Sequence, residues 1–159
     1  MIQPRKGEVI FKINEGPKVV VTKIKFTGNK DFSSPVLKTQ VKTRTQILWL
    51  FGGKYDPASI QDDLMSLRKY YNELGYFDAQ IEHVEHTSAD NGKVTFEYVI
   101  NEGVRYKVRD IQFVGNRVIP EDKLRENMKV KPGQFWAERF VVGDKEKIVT
   151  QYGELGRIR

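Results

Sequence analysis

Apolar and polar side chains take turns between Thr22 and Phe26: Thr22, Ile24 and Phe26 point one way, Lys23 and Lys25 the other. That two-residue period marks a half-buried strand. Gly28-Asn29 ends it, and Ser34-Pro35 then sets a helix N-cap residue before a proline at the first helical position. Leu37 and Val41 follow one helical turn apart. A second helix is clearer: Asp56-Pro57 caps it, and Ile60, Leu64, Leu67, Tyr71 and Leu74 form one apolar stripe that Gly75 stops. Two more alternating runs come next, Phe77, Ala79 and Ile81, then Val94, Phe96, Tyr98 and Ile100, with a turn at 88–92 between them. One unit therefore reads strand–helix–helix–strand–strand over residues 18–104. Neither layer is stable alone, so the expected architecture is α+β: a three-stranded mixed sheet covered on one face by two helices.

The phrase is written twice. At an offset of 87, "INEG" (13–16) recurs as "INEG" (100–103), and nine of the seventeen positions from 13 to 29 match. Leu124 and Met128 after Pro120 repeat the first helix, and Val141, Ile148, Tyr152 and Leu155 before Gly156 repeat the second. Residues 8–16 match 95–103, so 1–17 read as the last strand of a preceding unit. Residues 105–159 read as a further unit without its last two strands, leaving a first strand at 107–114 with a bare edge. That edge is expected to recruit residues 8–13 of another copy, a strand exchange between molecules. A fixed repeat period points to an array of like modules.

Totals narrow the function. The 159 residues contain no cysteine, which excludes disulfides and thiolate chemistry. No apolar run approaches the ~20 residues needed to cross a bilayer, and no signal-peptide pattern opens the chain. The charge of +6 is uneven: residues 1–55 sum to +8, 56–104 to −7 and 105–159 to +5. Basic stretches of this kind suit a polyanion, but they lack the interleaved aromatics on which single strands stack. A KH-like module would need a Gly-X-X-Gly loop between two helices, and "FGGK" (51–54) is not one. Solvated surface is the preferred reading, and no nucleic acid is expected.

Other candidates are weak. His83 and His86 lie among Glu82 and Glu85, yet on a strand 83 and 86 face opposite ways and cannot share one ion. Asp62, Asp63 and Glu73 are placed on the polar side of the second helix, the two aspartates complementing its dipole. No P-loop, HExxH or Ser-His-Asp order occurs. No catalytic residue, metal site or cofactor is expected. "ILWLFGG" (47–53) sets Leu48, Trp49, Leu50 and Phe51 together between the first two helices. It reads either as a partner, client or lipid contact or as local core folded over the helix pair.

The order "INEG", "IKFTGN", helix, "GGKYDPASIQDDLMSLRKYYNELGYFDAQI" and hairpin resembles the POTRA (polypeptide-transport-associated) domain, above all the tandem domains of outer-membrane β-barrel assembly proteins of the BamA type. The resemblance covers nearly the whole chain. It implies a periplasmic array joined to a parent β-barrel in the outer membrane, a binding module and not an enzyme. The implied partners are unfolded outer-membrane proteins and accessory assembly subunits. It also implies that the second strand is the exposed sheet edge, here Phe77, Asp78, Ala79, Gln80, Ile81, Glu82, His83 and Val84 and on to His86, with 94–101 in the centre. Such an edge accepts an extended client by β-augmentation. Asn29, Glu102, Arg105 and Asn116 are expected near the junction between units, alongside Glu15. The alternative within the family is a two-partner secretion transporter, whose domains recognise one secreted substrate.

Overall fold

The computed structural model describes residues 10–13, 19–46, 53–88 and 92–157. Its elements run β1 (Val20–Thr27), α1 (Ser34–Gln40), α2 (Pro57–Glu73), β2 (Gln80–Thr87), β3 (Lys93–Asn101), α3 (Glu121–Glu126) and α4 (Glu138–Glu154). The fold is α+β. The sheet has the order β1-β3-β2, with β3 parallel to β1 and antiparallel to β2. A parallel return needs a long crossover, and α1 and α2 supply it.

The core lies between one sheet face and the helix pair. Val94, Phe96, Tyr98 and Ile100 of β3 are buried on that face with Val21 and Ile81. Ile60, Leu64, Leu67 and Tyr71 of α2 and Leu37 of α1 cover them. Each such side chain removed from water contributes about 1.5–3 kcal/mol. The predicted α2 stripe is thus the buried one. Asp56 accepts from Ala58 N at 3.1 Å and opens the helix. At its other end Tyr76 N donates to Tyr71 O at 3.0 Å across Gly75, whose φ is 93°, a left-handed stop. Gly28 needs its missing side chain more: a Cβ there would lie 1.9 Å from Ile100 O.

Several local expectations are corrected. Thr22 does not share the inward face with Ile24 and Phe26. The register slips between Val21 and Lys23, so Thr22 is an extra residue and Val21 takes the inward place. The N-cap of α1 is Ser33, one residue earlier than expected. Phe77, Asp78 and Ala79 precede β2 in a turn that Ala79 N closes onto Tyr76 O at 3.2 Å. The segment 107–114 forms no described ladder; its one bridge joins Lys107 to Phe135. Strand geometry is fixed by a partner, and none of the described strands runs beside it. For the same reason the α4 stripe is poorly covered. Val141, Ile148 and Tyr152 are half-buried, and Leu155 is 52% exposed.

Candidate functional site

β3 is flanked on both sides, so the sheet offers two outer edges. That of β1 is partly covered: Val21 N donates to Gly53 O, Gln46 N donates to Val21 O, and Val20 bridges Lys54. The edge of β2 has no neighbouring strand among the described residues. Ser88 N donates to Lys93 O, which phases the antiparallel ladder. Alternation then turns the N–H and C=O groups of Ile81, His83, Glu85 and Thr87 outward. The Ile81 carbonyl accepts from the Arg68 guanidinium at 3.1 Å, as that phasing requires.

Side chains of β2 split between two faces. Ile81 is buried beneath α2; His83 Nε2 lies 3.5 Å from Glu85 Oε1, and Tyr55 donates to Glu85 at 3.3 Å on the same side. The face without helices carries Glu82, Val84 and His86, with His86 Nε2 at 2.7 Å from Glu97 Oε2. Hydrogen bonding to His86 holds the Glu97 carboxyl below the usual range. The two histidines therefore reach different carboxylates on opposite faces.

Of the four expected junction residues, Arg105 bridges the two helix pairs. Its Nε donates to Leu74 O at 2.9 Å, and its guanidinium lies 5.6 Å from the Tyr76 ring and 4.5 Å from the Phe135 ring. Asn29 and Asn116 instead perform one local task twice, donating to Phe32 O at 2.7 Å and to Ile119 O at 3.3 Å. Glu102 is buried within the first unit, accepting from Asp31 N at 3.1 Å and Tyr71 OH at 3.0 Å. Burial, then this bond, drives the Tyr71 hydroxyl pKa well up. Tyr76 is pushed up to about 12 by burial and by its bond to Asp31.

The rest of the junction was missed in the sequence. Tyr106 N donates to Gly75 O at 2.8 Å and its hydroxyl to Asp78 at 2.7 Å. Phe77, expected on the edge, packs its ring against Tyr106 and Trp136, with centroids 5.5 and 5.6 Å away. A Cβ on Gly75 would meet Trp136 Cβ at 3.0 Å, so glycine serves the helix stop and the junction together. The signal was present in "LGYF" and "FWAE" (135–138), aromatics placed at a helix end and a helix start.

A pair of buried carboxylates was also missed. Asp63 is not on the polar side of α2: it is fully buried and accepts from Lys42 N, from Thr43 N at 3.2 Å and from Tyr98 OH at 2.8 Å. Asp144 repeats this, accepting from Lys129 N and Val130 N at 2.8 Å. Burial works to raise the Asp144 pKa, but these two donors and Lys147 hold it below the usual value. Asp62 stays outside, 3.0 Å from Lys42 Nζ. Leu48, Trp49, Leu50, Phe51 and Glu15 lie outside the described residues.

An α+β module whose β2 edge has no neighbouring strand among the described residues, followed by a second helix pair, is a tandem-repeat architecture. A family model described as "Surface antigen variable number repeat" (POTRA) matches residues 19–103 and 106–159. The chain belongs to the POTRA family. It is 33% identical over 130 residues to a Treponema pallidum (strain Nichols) protein named as an outer membrane protein assembly factor, across 79% of this chain and 15% of that one. The outer membrane protein assembly factor BamA of Neisseria meningitidis serogroup B is 23% identical over 154 residues, 94% of this chain and 19% of that one. The chain thus spans a fifth or less of these curated relatives. The crystal structure of Haemophilus influenzae BamA POTRA3-5 superposes with a TM-score of 0.53 at 25% identity, over 87% of this chain and 55% of that one.

Proposed function

We propose that this chain is a periplasmic binding module of an outer-membrane protein assembly factor. It receives unfolded β-barrel clients by strand addition along β2, docks accessory subunits, and works as part of a longer protein joined to a membrane β-barrel. Residues 18–104 form one whole domain of the array, 105–159 part of a second and 1–17 the end of another. Strand exchange between copies, through residues 8–13, belongs to the same proposal. The observation that carries it is the outward row of backbone groups at Ile81, His83, Glu85 and Thr87. Backbone pairing tolerates many client sequences, as an assembly factor requires.

The test is a ¹⁵N amide titration with an extended peptide taken from an outer-membrane β-strand. Shifts concentrated within β2 are expected. Glu85→Pro deletes an outward N–H without removing a bond to β3, and is expected to weaken binding at least tenfold while the β3 resonances stay in place. Shifts confined to 47–53 would move the site to Leu48, Trp49, Leu50 and Phe51. No shift at millimolar peptide would overturn client binding by this segment.

A further inference from the structure

The outer side of β2 is not uniform along its length. At the Ile81 end an exposed arginine on α2 reaches across and donates to the very carbonyl an incoming strand needs. Further along, His83, Glu85 and Thr87 present their outward groups with no such occupant among the described residues. The charge is uneven as well. β2 (QIEHVEHT) contains Glu82 and Glu85 and no Lys or Arg. Glu82 is exposed and makes no ion pair or hydrogen bond among the described residues. Among the described residues Glu85 meets only Tyr55 and His83. Among the described residues Arg68 is the cation hydrogen-bonded to β2, at Ile81; Lys93 of β3 stands opposite Ser88 just past the other end.

We propose that Arg68 and the two glutamates select what β2 accepts: a short extended peptide carrying a lysine or arginine on each face, paired at His83, Glu85 and Thr87 and stopped by Arg68 at Ile81. This rests on the edge-pairing reading above and adds a register and a charge to it. The two faces follow from strand geometry. Glu82 lies on the helix-free face and Glu85 on the helix side, so a guest meets them with residues of opposite parity. Opposite charges on neighbouring strands attract and like charges directly opposite repel, each by a modest amount. Backbone pairing supplies most of the affinity, and charge supplies the discrimination. Arg68 acts at the other end in two ways. Its guanidinium fills the Ile81 acceptor, and its charge opposes a cationic guest that slides past His83.

The experiment compares three nine-residue extended peptides with the same apolar positions and cationic, neutral or anionic polar positions, titrated into the ¹⁵N-labelled chain. The cationic peptide is expected to bind about tenfold tighter than the anionic one. That gap should shrink as salt is raised from 0.05 to about 0.5 M, since exposed charges are screened. Shifts should run from His83 to Thr87 and end before Ile81. In Arg68→Ala they should extend through Ile81, while Arg68→Lys, which keeps the charge without the planar fork, should extend them less. Arg68 is exposed, and unchanged β3 resonances verify the fold of each variant. Equal binding of cationic and anionic peptides overturns the charge selection. Shifts reaching Ile81 equally with and without Arg68 overturn the register stop. Absence of β2 shifts with all three peptides instead overturns the edge-pairing reading beneath it.

Discussion

Asp62 and Asp63 are neighbours in sequence with opposite fates, and the difference is where each carboxylate finds its donors. Asp62 faces water and a lysine ammonium whose side chain is 68% exposed. Such a pair is worth little. Asp63 is buried and gathers two backbone N–H groups beyond α1 and the Tyr98 hydroxyl of β3, so one side chain ties three segments together. Removing it leaves buried donors unpaired. Asp63→Ala is expected to cost about 2–4 kcal/mol, and Asp62→Ala about 0.5 kcal/mol or less. Urea unfolding followed by circular dichroism reads both, and equal losses would show that Asp63 is no clamp. The position of Asp63 was legible. It stands three residues after Ile60 and four before Leu67, inside the apolar stripe, and only the habit of assigning carboxylates to water hid it. Its repeat was legible too, because Lys42 and Lys129 are 87 residues apart while Asp63 and Asp144 are 81 apart, the second loop being shorter.

Helices with nearly the same script reach different burial in this chain. α2 and α4 are both 17 residues long, and both end in a left-handed glycine with Tyr71 or Tyr152 accepting across it. Local sequence fixed those ends in both, so the helix stops were readable. Burial was not, because it depends on what lies under the stripe. α2 rests on a three-stranded sheet and buries Leu67 completely, whereas α4 has no described ladder beneath it and Ile148 stays half-buried. Leu67→Ala is therefore expected to cost about 3 kcal/mol and Ile148→Ala about 1 kcal/mol. Amide exchange should follow the same order, slow in α2 and β3 and faster in α4. Comparable protection in the two helices would mean that α4 is covered in solution. The start of β2 was misread for a related reason. Alternation of Phe77, Ala79 and Ile81 looks like strand, but the Schellman turn after Gly75 and the pull of Tyr106 and Trp136 keep 77–79 in a turn.

At the scale of the whole molecule the repeat was the most readable feature and the junction the least. A period of 87 residues is a property of one chain read against itself, so the module order followed from it without any knowledge of contacts. The packing of one module on the next depends on side chains far apart in sequence, Phe77 with Trp136 and Arg105 with both Leu74 and Phe135, and no periodicity links them. The same period bears on association between copies. β1 pairs with β3 so that Phe26 lies opposite Tyr98. Carried through the offset, Phe113 would lie opposite Phe11 of another copy. Phe11 is 82% and Val114 95% exposed, apolar surface that association would bury. Light scattering is therefore expected to give an average mass that rises above the monomer with concentration, in rings or open chains according to whether the contact closes. Phe11→Asp should return the mass to that of the monomer without changing the unfolding of the sheet-bearing unit, since Phe11 lies outside its core. A monomer at every concentration would rule out the exchange and leave 107–114 for a partner of another sequence.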